Sequence, residues 1–413
     1  MLPAESYKWQ AVERIAERVA GMYNVKKIRT PVFESADLYL RSIGDSTDIV
    51  NKEMYLFTDK GGRNMALRPE GTAGVMRSFI ENNLGETLPL KLFYIESLYR
   101  YEQPQAGRYR EHHQFGAEFF GSELPEFEIE LLCMARDFLS EIGFRDLNLH
   151  INTIGCAECR AKYNAALRAF LHEHEAEICG DCKRRAQTNP LRALDCKVDK
   201  CKALYKSAPR IADYLCDGCK AHHAAVLSGL EQCGIAYECD ENLVRGLDYY
   251  TRTVFEFCDG KLAVLGGGRY DSLCEQLGGK HMPCVGFGCG IERLIAAADA
   301  RGIALDKPLP NVFVAATNGA REREEARRLV FELRRAGVSA ECDLMGKSLK
   351  AQFKYADKQG FMFVATVGES ELDSGSYALK RMRDGHAETI SRDNFAKDAS
   401  ELVNAERQGG RHA

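Results

Sequence analysis

The sequence has 413 residues, 45% of them hydrophobic and 28% charged, so at roughly 100 to 200 residues per domain it is expected to form several domains with ample buried core. No apolar run approaches the roughly 18 residues that could cross a bilayer, which excludes a membrane-spanning chain. With 56 Lys and Arg against 60 Asp and Glu the formal charge is −4, and bulk electrostatics neither advertises nor forbids a polyanionic partner.

Glu5, Glu13 and Glu17 stand where a secretory signal would need an apolar stretch, so a cytosolic (cytoplasmic) location is expected. Over residues 5–21, Val12, Ile15, Ala16 and Val19 share one helical face and Gly21 closes the last turn. The runs KKIRTPVFE, KEMYLFTD, NMALRPEG, KLFYIESLYRYE and HHQFGAEFFG then read as strands of an antiparallel sheet, which makes residues 1 to about 145 α+β. From about 155 to 232 the pattern turns helical and Cys-rich, and VFEFCDG, KLAVLGGG and CVGFGCG resume strand character before a helix near Ile291. The Cys-rich part therefore reads as an insertion into one sheet domain spanning 1–300. Residues 301–310, RGIALDKPLP, mark a linker. The segment 311–405 alternates NVFVAAT, a helix over 321–336 with Ala326, Leu329, Val330 and Leu333 on one face, VSAECD, a helix from about Ser348, and FMFVATVG. This predicts a βαβαβ (α/β) domain, followed by a frayed tail GGRHA.

Three clusters carry chemistry. The segment RYEQPQAGRYREHHQFGAEFF sets Arg100, Glu102, Arg108 and Arg110 around a turn, a hairpin that can aim planar guanidinium forks at phosphate or carboxylate oxygens. In VGFGCGIERLI, Gly286, Gly288 and Gly290 allow close approach by a flat ligand, and Arg293 follows just inside the next helix. LVRGLDYYTRTVFEF gathers Arg245, Asp248, Tyr249, Tyr250 and Arg252, groups too polar to bury without a task, and LGGGRYDSL follows.

In this order and spacing the clusters resemble the histidyl-tRNA synthetases of aminoacyl-tRNA synthetase class II over essentially the whole chain. Arg100 with Glu102 is similar to motif 2 of that class, GFGCGIERL with Arg293 to motif 3, and the opening helix, strand and Pro31 to motif 1, the dimer element. LVRGLDYYTRTVFEF and GGGRYDSL resemble the two histidine-specific motifs, and LRPEGT at Leu67 to Thr72 fits the same family. The resemblance implies a class II antiparallel-sheet catalytic domain, a helical Cys-rich insertion and a C-terminal anticodon-binding domain. It also implies a homodimer that uses ATP and Mg²⁺ to join L-histidine to histidine tRNA through histidyl-adenylate.

Residue roles follow from the same resemblance. Arg100 is expected to grip the α-phosphate and the substrate carboxylate, Arg293 the γ-phosphate end of a bent ATP, and Arg108, Glu102 and His112 to line the nucleotide site. Arg245 is expected beside the α-phosphate, where negative charge grows. Glu70, Gly71, Thr72 and Gln114 belong to the amino-group side of the histidine site, Glu118 and Tyr250 to the imidazole, and Tyr249 to the pocket wall. Three departures stand out. Relatives usually carry Arg-Gly-x-x-Asp before the first helix, whereas this sequence opens at Met1-Leu2-Pro3. His112 occupies the place where the class stacks a Phe on adenine, which predicts an active enzyme with a weaker ATP site. Gln103 and Ala106 stand where relatives often have basic residues, which leaves the reading of the acceptor stem open.

The 16 cysteines are unevenly spread. Cys156/Cys159, Cys179/Cys182 and Cys216/Cys219 are C-x-x-C pairs and Cys196/Cys201 a looser fourth, enough thiolates for up to two structural zinc sites. Lys347, Lys350, Lys354 and Lys358 recur at helical spacing, a stripe suited to an RNA backbone. The rival reading is a silent paralogue that binds histidine and regulates ATP phosphoribosyltransferase; that group typically lacks the C-terminal domain and loses much of the arginine motif, and this sequence retains both. A sister class II synthetase is disfavoured by LVRGLDYY.

Overall fold

The computed structural model describes residues 1–44, 47, 49–102 and 109–409, except the side chains of 408 and 409. Arg108, the turn with Gln103 and Ala106, and the last four residues of the tail lie outside the described residues. The chain divides into two compact units, Met1–Asp306 and Lys307–Ala413. No helix among the described residues is long and apolar enough to cross a membrane.

The first unit opens on α1 (Pro3–Met22), started by a proline at its first turn, where the missing N–H costs nothing, and burying Val12, Ala16 and Val19. Two strands follow, β1 (Lys26–Lys27) and β2 (Phe33–Ser35), then α2 (Ala36–Ile43), β3 (Leu56–Thr58), β4 (Asn64–Leu67) and α3 (Thr72–Glu81). The long pair β5 (Leu90–Tyr99) and β6 (Glu111–Phe120) leads to α4 (Glu126–Ile142) and β7 (Asn148–Thr153). The inserted helices are α5 (Ala157–Glu173), α6 (Gly180–Thr188), α7 (Asp199–Tyr205) and α8 (Asp217–Gln232). The chain returns through β8 (Tyr237–Cys239), β9 (Thr251–Asp259), β10 (Leu262–Arg269), the short α9 (Leu273–Gln276), β11 (Cys284–Gly290) and α10 (Ile291–Ala300).

Eight strands form one sheet in the order β1-β5-β6-β11-β10-β9-β7-β8, antiparallel except where β1 meets β5 and β7 meets β8. The early strands do not all join it. β2, β4 and β3 make a separate three-stranded sheet, so the run KKIRTPVFE is split between two sheets. Residues of α1, α4, α8 and α10 cover one face of the large sheet, sealing Phe115, Ala117, Phe119, Phe255, Phe257 and Phe287 in a single core.

Two buried ion networks brace this unit. Arg269, fully buried at the end of β10, pairs with Glu128 on α4, which also receives Thr253 Oγ1 at 3.1 Å and contacts His222 Nε2 on α8 at 2.7 Å. Burial alone raises the Glu128 carboxyl, but the hydrogen bonds from Arg269 and His222 prevail and hold it below the usual carboxylate value. The second network joins Arg68 to Glu96 at 2.8 Å, with Thr30 donating to the same carboxylate.

The second unit contains β12 (Val312–Ala316), α11 (Ala320–Arg335), β13 (Ala340–Cys342), α12 (Leu349–Gln359), β14 (Phe363–Val367), α13 (Glu369–Ser374), β15 (Ser376–Arg381), β16 (Ala387–Ser391) and α14 (Phe395–Gly409). Its sheet runs β13-β12-β14-β15-β16. The βαβαβ core is present as a parallel triplet, but it is extended by an antiparallel hairpin and a closing helix that the periodicity did not announce.

Candidate active site

Strand alternation builds the site. On β6, Phe115, Ala117 and Phe119 face the core, so His112, Gln114, Gly116 and Glu118 face the other way. Cross-strand register then brings Gly288 opposite Gly116, Gly290 opposite Gln114 and Gly266 opposite Gly288. The result is a floor without side chains. A Cβ on Gly266 would stand 2.6 Å from Arg245 Nη1, and one on Gly288 would stand 2.5 Å from Gln114 Nε2, so only glycine allows these groups to lie so low.

Over the floor lies a cavity of about 220 Å³ lined by Arg100, Glu102, His112, Gln114, Arg245 and Arg293, with Glu256 and Glu292 at its wall. Arg100 is aimed by its Nε, which donates to the Pro69 carbonyl at 2.7 Å, and Arg293 by Nη1 donating to Ala263 at 3.0 Å. Arg245 pairs with Glu256, lies 5.9 Å from the Tyr250 ring centroid, and has a buried Nε with no acceptor among the described residues. His112 is pushed down to about 4, by burial first and then by the charge of Arg100, so it is a flat neutral imidazole at neutral pH. Its neighbour His113 points to the opposite side and binds Glu292 at 2.6 Å.

The remaining expected residues gather in a buried polar cluster joined to the cavity through Gln114. Tyr94 Oη donates to Gln114 Oε1 at 3.0 Å and approaches Glu118 at 3.4 Å; Thr72 Oγ1 donates to Glu118 at 2.8 Å, and Tyr270 adds a third hydroxyl. Glu70 caps the start of α3, accepting from the backbone N–H groups of Thr72 and Ala73 at 2.7 and 2.8 Å. Gly71 gives passage to the Tyr94 ring. Tyr249 packs against both Tyr250 and Tyr270, with centroids 4.8 and 5.5 Å apart. Burial, the dominant influence, pushes Glu118 up to about 8 despite the hydroxyls of Tyr270 and Thr72. Since the folded chain then holds a proton that an unfolded one releases, this group's contribution to stability falls as pH rises from about 4.5 to 8. Three guanidiniums converging on one cavity suit a polyphosphate, and a carboxyl ringed by phenols suits a small group offering both a donor and an acceptor.

Comparisons with known proteins give the family. Residues 1–294 match the family model described as Histidyl-tRNA synthetase, and 311–402 match the Anticodon binding domain. The chain is 47% identical over 408 residues to Histidine--tRNA ligase of Halothermothrix orenii, covering 98% of this chain and 97% of that protein, and 47% identical over 399 residues to that of Acetivibrio thermocellus, covering 95% of each. The chain belongs to the histidyl-tRNA synthetase family. Among solved structures, apo histidyl-tRNA synthetase of S. aureus aligns with a TM-score of 0.82 at 37% identity over 97% of both chains.

Against this family background, Tyr94, Tyr270 and Glu256 are the neighbours that sequence reasoning missed. Tyr270 stands within GGGRYDSL and Glu256 within LVRGLDYYTRTVFEF, so both were legible as parts of those motifs; Tyr94 is recognisable only from the strand facing it. Arg269 of the same motif belongs to the interior network, away from the cavity. The eight insertion cysteines are drawn into two groups of four, Cys156, Cys159, Cys216 and Cys219, and Cys179, Cys182, Cys196 and Cys201. In the second unit Lys350, Lys354 and Lys358 are exposed on α12 and Lys347 is exposed just before it, while Gln352 and Ala356 are buried on the opposite side. The partly buried Leu349 and Phe353 pack with Ala356.

Proposed function

We propose that this histidyl-tRNA synthetase family member joins L-histidine to its cognate tRNA in two steps, forming histidyl-adenylate and pyrophosphate from histidine and MgATP and then passing the acyl group to the terminal adenosine. The single observation that carries the reading is the meeting of Arg100, Arg245 and Arg293 at one cavity over a glycine floor, joined through Gln114 to a buried carboxyl-and-phenol cluster. Arg293 and Arg100 neutralise the two ends of a bent triphosphate. Arg245 lies where the histidine carboxylate attacks the α-phosphate and stabilises the charge that develops there. The attacking carboxylate is already ionised at neutral pH, so no general base is required. Glu118 with Tyr250 reads the imidazole, Tyr249 closes the slot, and Glu70, Thr72 and Gln114 hold the α-amino group. A wrong amino acid leaves buried polar groups unpaired, which is the strongest form of discrimination a pocket offers. Mg²⁺ enters with ATP as part of the substrate, and carboxylates at the cavity wall are the hard oxygen donors such an ion accepts. Histidine-dependent exchange of pyrophosphate into ATP is the test; its absence from the purified chain favours the silent paralogue instead.

His112 gives a sharper check. Its ring stacks on adenine with less area than a phenyl, so His112→Phe is expected to lower the KM for ATP several-fold, measured by the same exchange. An unchanged or raised value removes His112 from the adenine site.

The second unit reads the anticodon arm. The exposed stripe Lys347, Lys350, Lys354 and Lys358 offers charge to the RNA backbone, and a pocket of about 250 Å³ beside it contains Arg323 and Arg327. Reversing charge at Lys350 and Lys354 is expected to raise the KM for tRNA and flatten its dependence on salt, with exchange untouched. Unchanged aminoacylation and salt dependence would remove the stripe from the RNA contact.

The working form is a homodimer in the cytoplasm, where charged tRNA is used. The small sheet supports the dimer: Val32, Phe33, Leu56 and Phe57 are exposed together, with Phe33 and Phe57 centroids 6.1 Å apart, an apolar patch that solvent does not favour. Sedimentation velocity at micromolar protein checks this; a monomer refutes it.

A further inference from the structure

The insertion has a small core of its own. Between Cys156 and Cys219 its interior cluster mixes apolar side chains, such as Tyr163, Leu167, Leu171, Ile178 and Leu191, with cysteines. A unit this small normally needs a staple. Sequence spacing alone does not pair the cysteines; the fold does, nesting one tetrad inside the other. The outer tetrad takes both ends of the insertion, Cys156 and Cys159 with Cys216 and Cys219, and the inner takes Cys179 and Cys182 with Cys196 and Cys201.

Within each tetrad the sulfur atoms all lie within 4.8 Å of one another. The Cys156–Cys159 separation is 3.5 Å and the Cys179–Cys196 separation 3.7 Å. A disulfide would need about 2.05 Å. A zinc ion with sulfur at about 2.3 Å in tetrahedral geometry sets its ligands about 3.8 Å apart. Sulfurs this close share one ion, whereas the cysteines of an iron–sulfur cube each hold a separate iron.

Helix starts and backbone amides face the sulfurs. Cys156, Cys179 and Cys216 stand at the N-caps of α5, α6 and α8, where free N–H groups and the helix dipole favour negative charge. Backbone N–H groups also point at the sulfurs: Cys216 N to Cys159 Sγ at 3.1 Å, Cys179 N to Cys201 Sγ at 3.3 Å and Val198 N to Cys196 Sγ at 3.5 Å. Such bonds orient metal-bound thiolates and offset their charge.

We propose that the insertion holds two structural zinc ions, each closed by four cysteine thiolates, the outer on Cys156, Cys159, Cys216 and Cys219 and the inner on Cys179, Cys182, Cys196 and Cys201. With four protein ligands each site has no open position for a substrate or water, so neither ion takes part in the chemistry. The outer tetrad is also where the insertion grips the sheet. Arg160, next to Cys159, donates to the Tyr250 carbonyl at 2.8 Å, and Gly155 accepts from the Arg252 N–H at 2.9 Å.

The test is metal analysis of the full chain purified under reducing conditions without chelator. Two zinc equivalents per chain are expected, and Cys182→Ser with Cys201→Ser should lower the content to one. The wild-type chain supplies a second measurement that needs no variant: titrating thiols with a mercurial beside a zinc-sensitive dye should release both ions as the eight insertion thiols react. Replacement by cobalt should give the intense visible bands of a tetrahedral thiolate site. Less than about 0.2 equivalents of zinc in active protein, iron in its place, or zinc released without consumption of thiols would overturn the assignment.

Discussion

Arg245→Ala is expected to lower the rate of histidine-dependent exchange of pyrophosphate into ATP by about 10²- to 10³-fold, the loss seen when one preorganised donor to a developing oxyanion is removed. The geometry explains why neither Arg100 nor Arg293 can substitute. Arg100 and Arg293 are each tied to a backbone carbonyl, Pro69 and Ala263, so neither can slide across the glycine floor into the gap. Arg245 lies low over Gly266 and is held by Glu256, with its Nε still seeking an acceptor. In the proposed role its charge acts where the carboxylate and the α-phosphate meet, and kcat should then fall more than the KM for histidine rises. Arg245→Lys should recover little, because an ammonium cannot reproduce the planar fork. A loss below tenfold would take Arg245 out of the reacting centre.

The second large effect concerns stability. Arg269→Met is expected to destabilise the first unit by about 3–5 kcal/mol, read as a lowered denaturant midpoint, because it leaves the Glu128 carboxylate with only His222 as a charged partner among the described residues. Both side chains are fully buried, and Arg269 also donates to the Ser122 carbonyl at 2.9 Å. Glu128 titrates below its usual value, so the pair's contribution is present at neutral pH and fades as pH drops through that lowered value. Adding Glu128→Leu should return much of the loss, since an apolar pair needs no desolvation of charge. A loss under about 1 kcal/mol, or no recovery in the double variant, would show that the network is not what braces α4 and α8 against the sheet.

The motifs around Arg100, Arg245 and Arg293 were legible because each is contiguous in sequence and rich in groups that are costly to bury. Tyr94 was not: it sits in an ordinary apolar strand, and its meaning comes from Gly116 opposite it and from Gly71, which let its ring reach Gln114 and Glu118. Pairing across strands is a long-range property that no local window contains. The cysteine knuckles were visible, yet their division into inner and outer tetrads depends on how α5 to α8 fold back. In the second unit a turn signal, Asp384-Gly385, lay between two alternating runs and marked the missed hairpin. Polar residues on its outer strand hid that alternation.

One property of β6 ties alignment to survival. Odd-numbered residues from His113 to Phe119 point toward the helices and even-numbered residues from His112 to Glu118 toward the reagents, so shifting the strand by a single position would put a carboxylate in the oil and a phenyl ring in the cleft. The same pairing therefore guards both solubility and catalysis. A slip of β6 by one residue is therefore expected to cost the fold as well as the site.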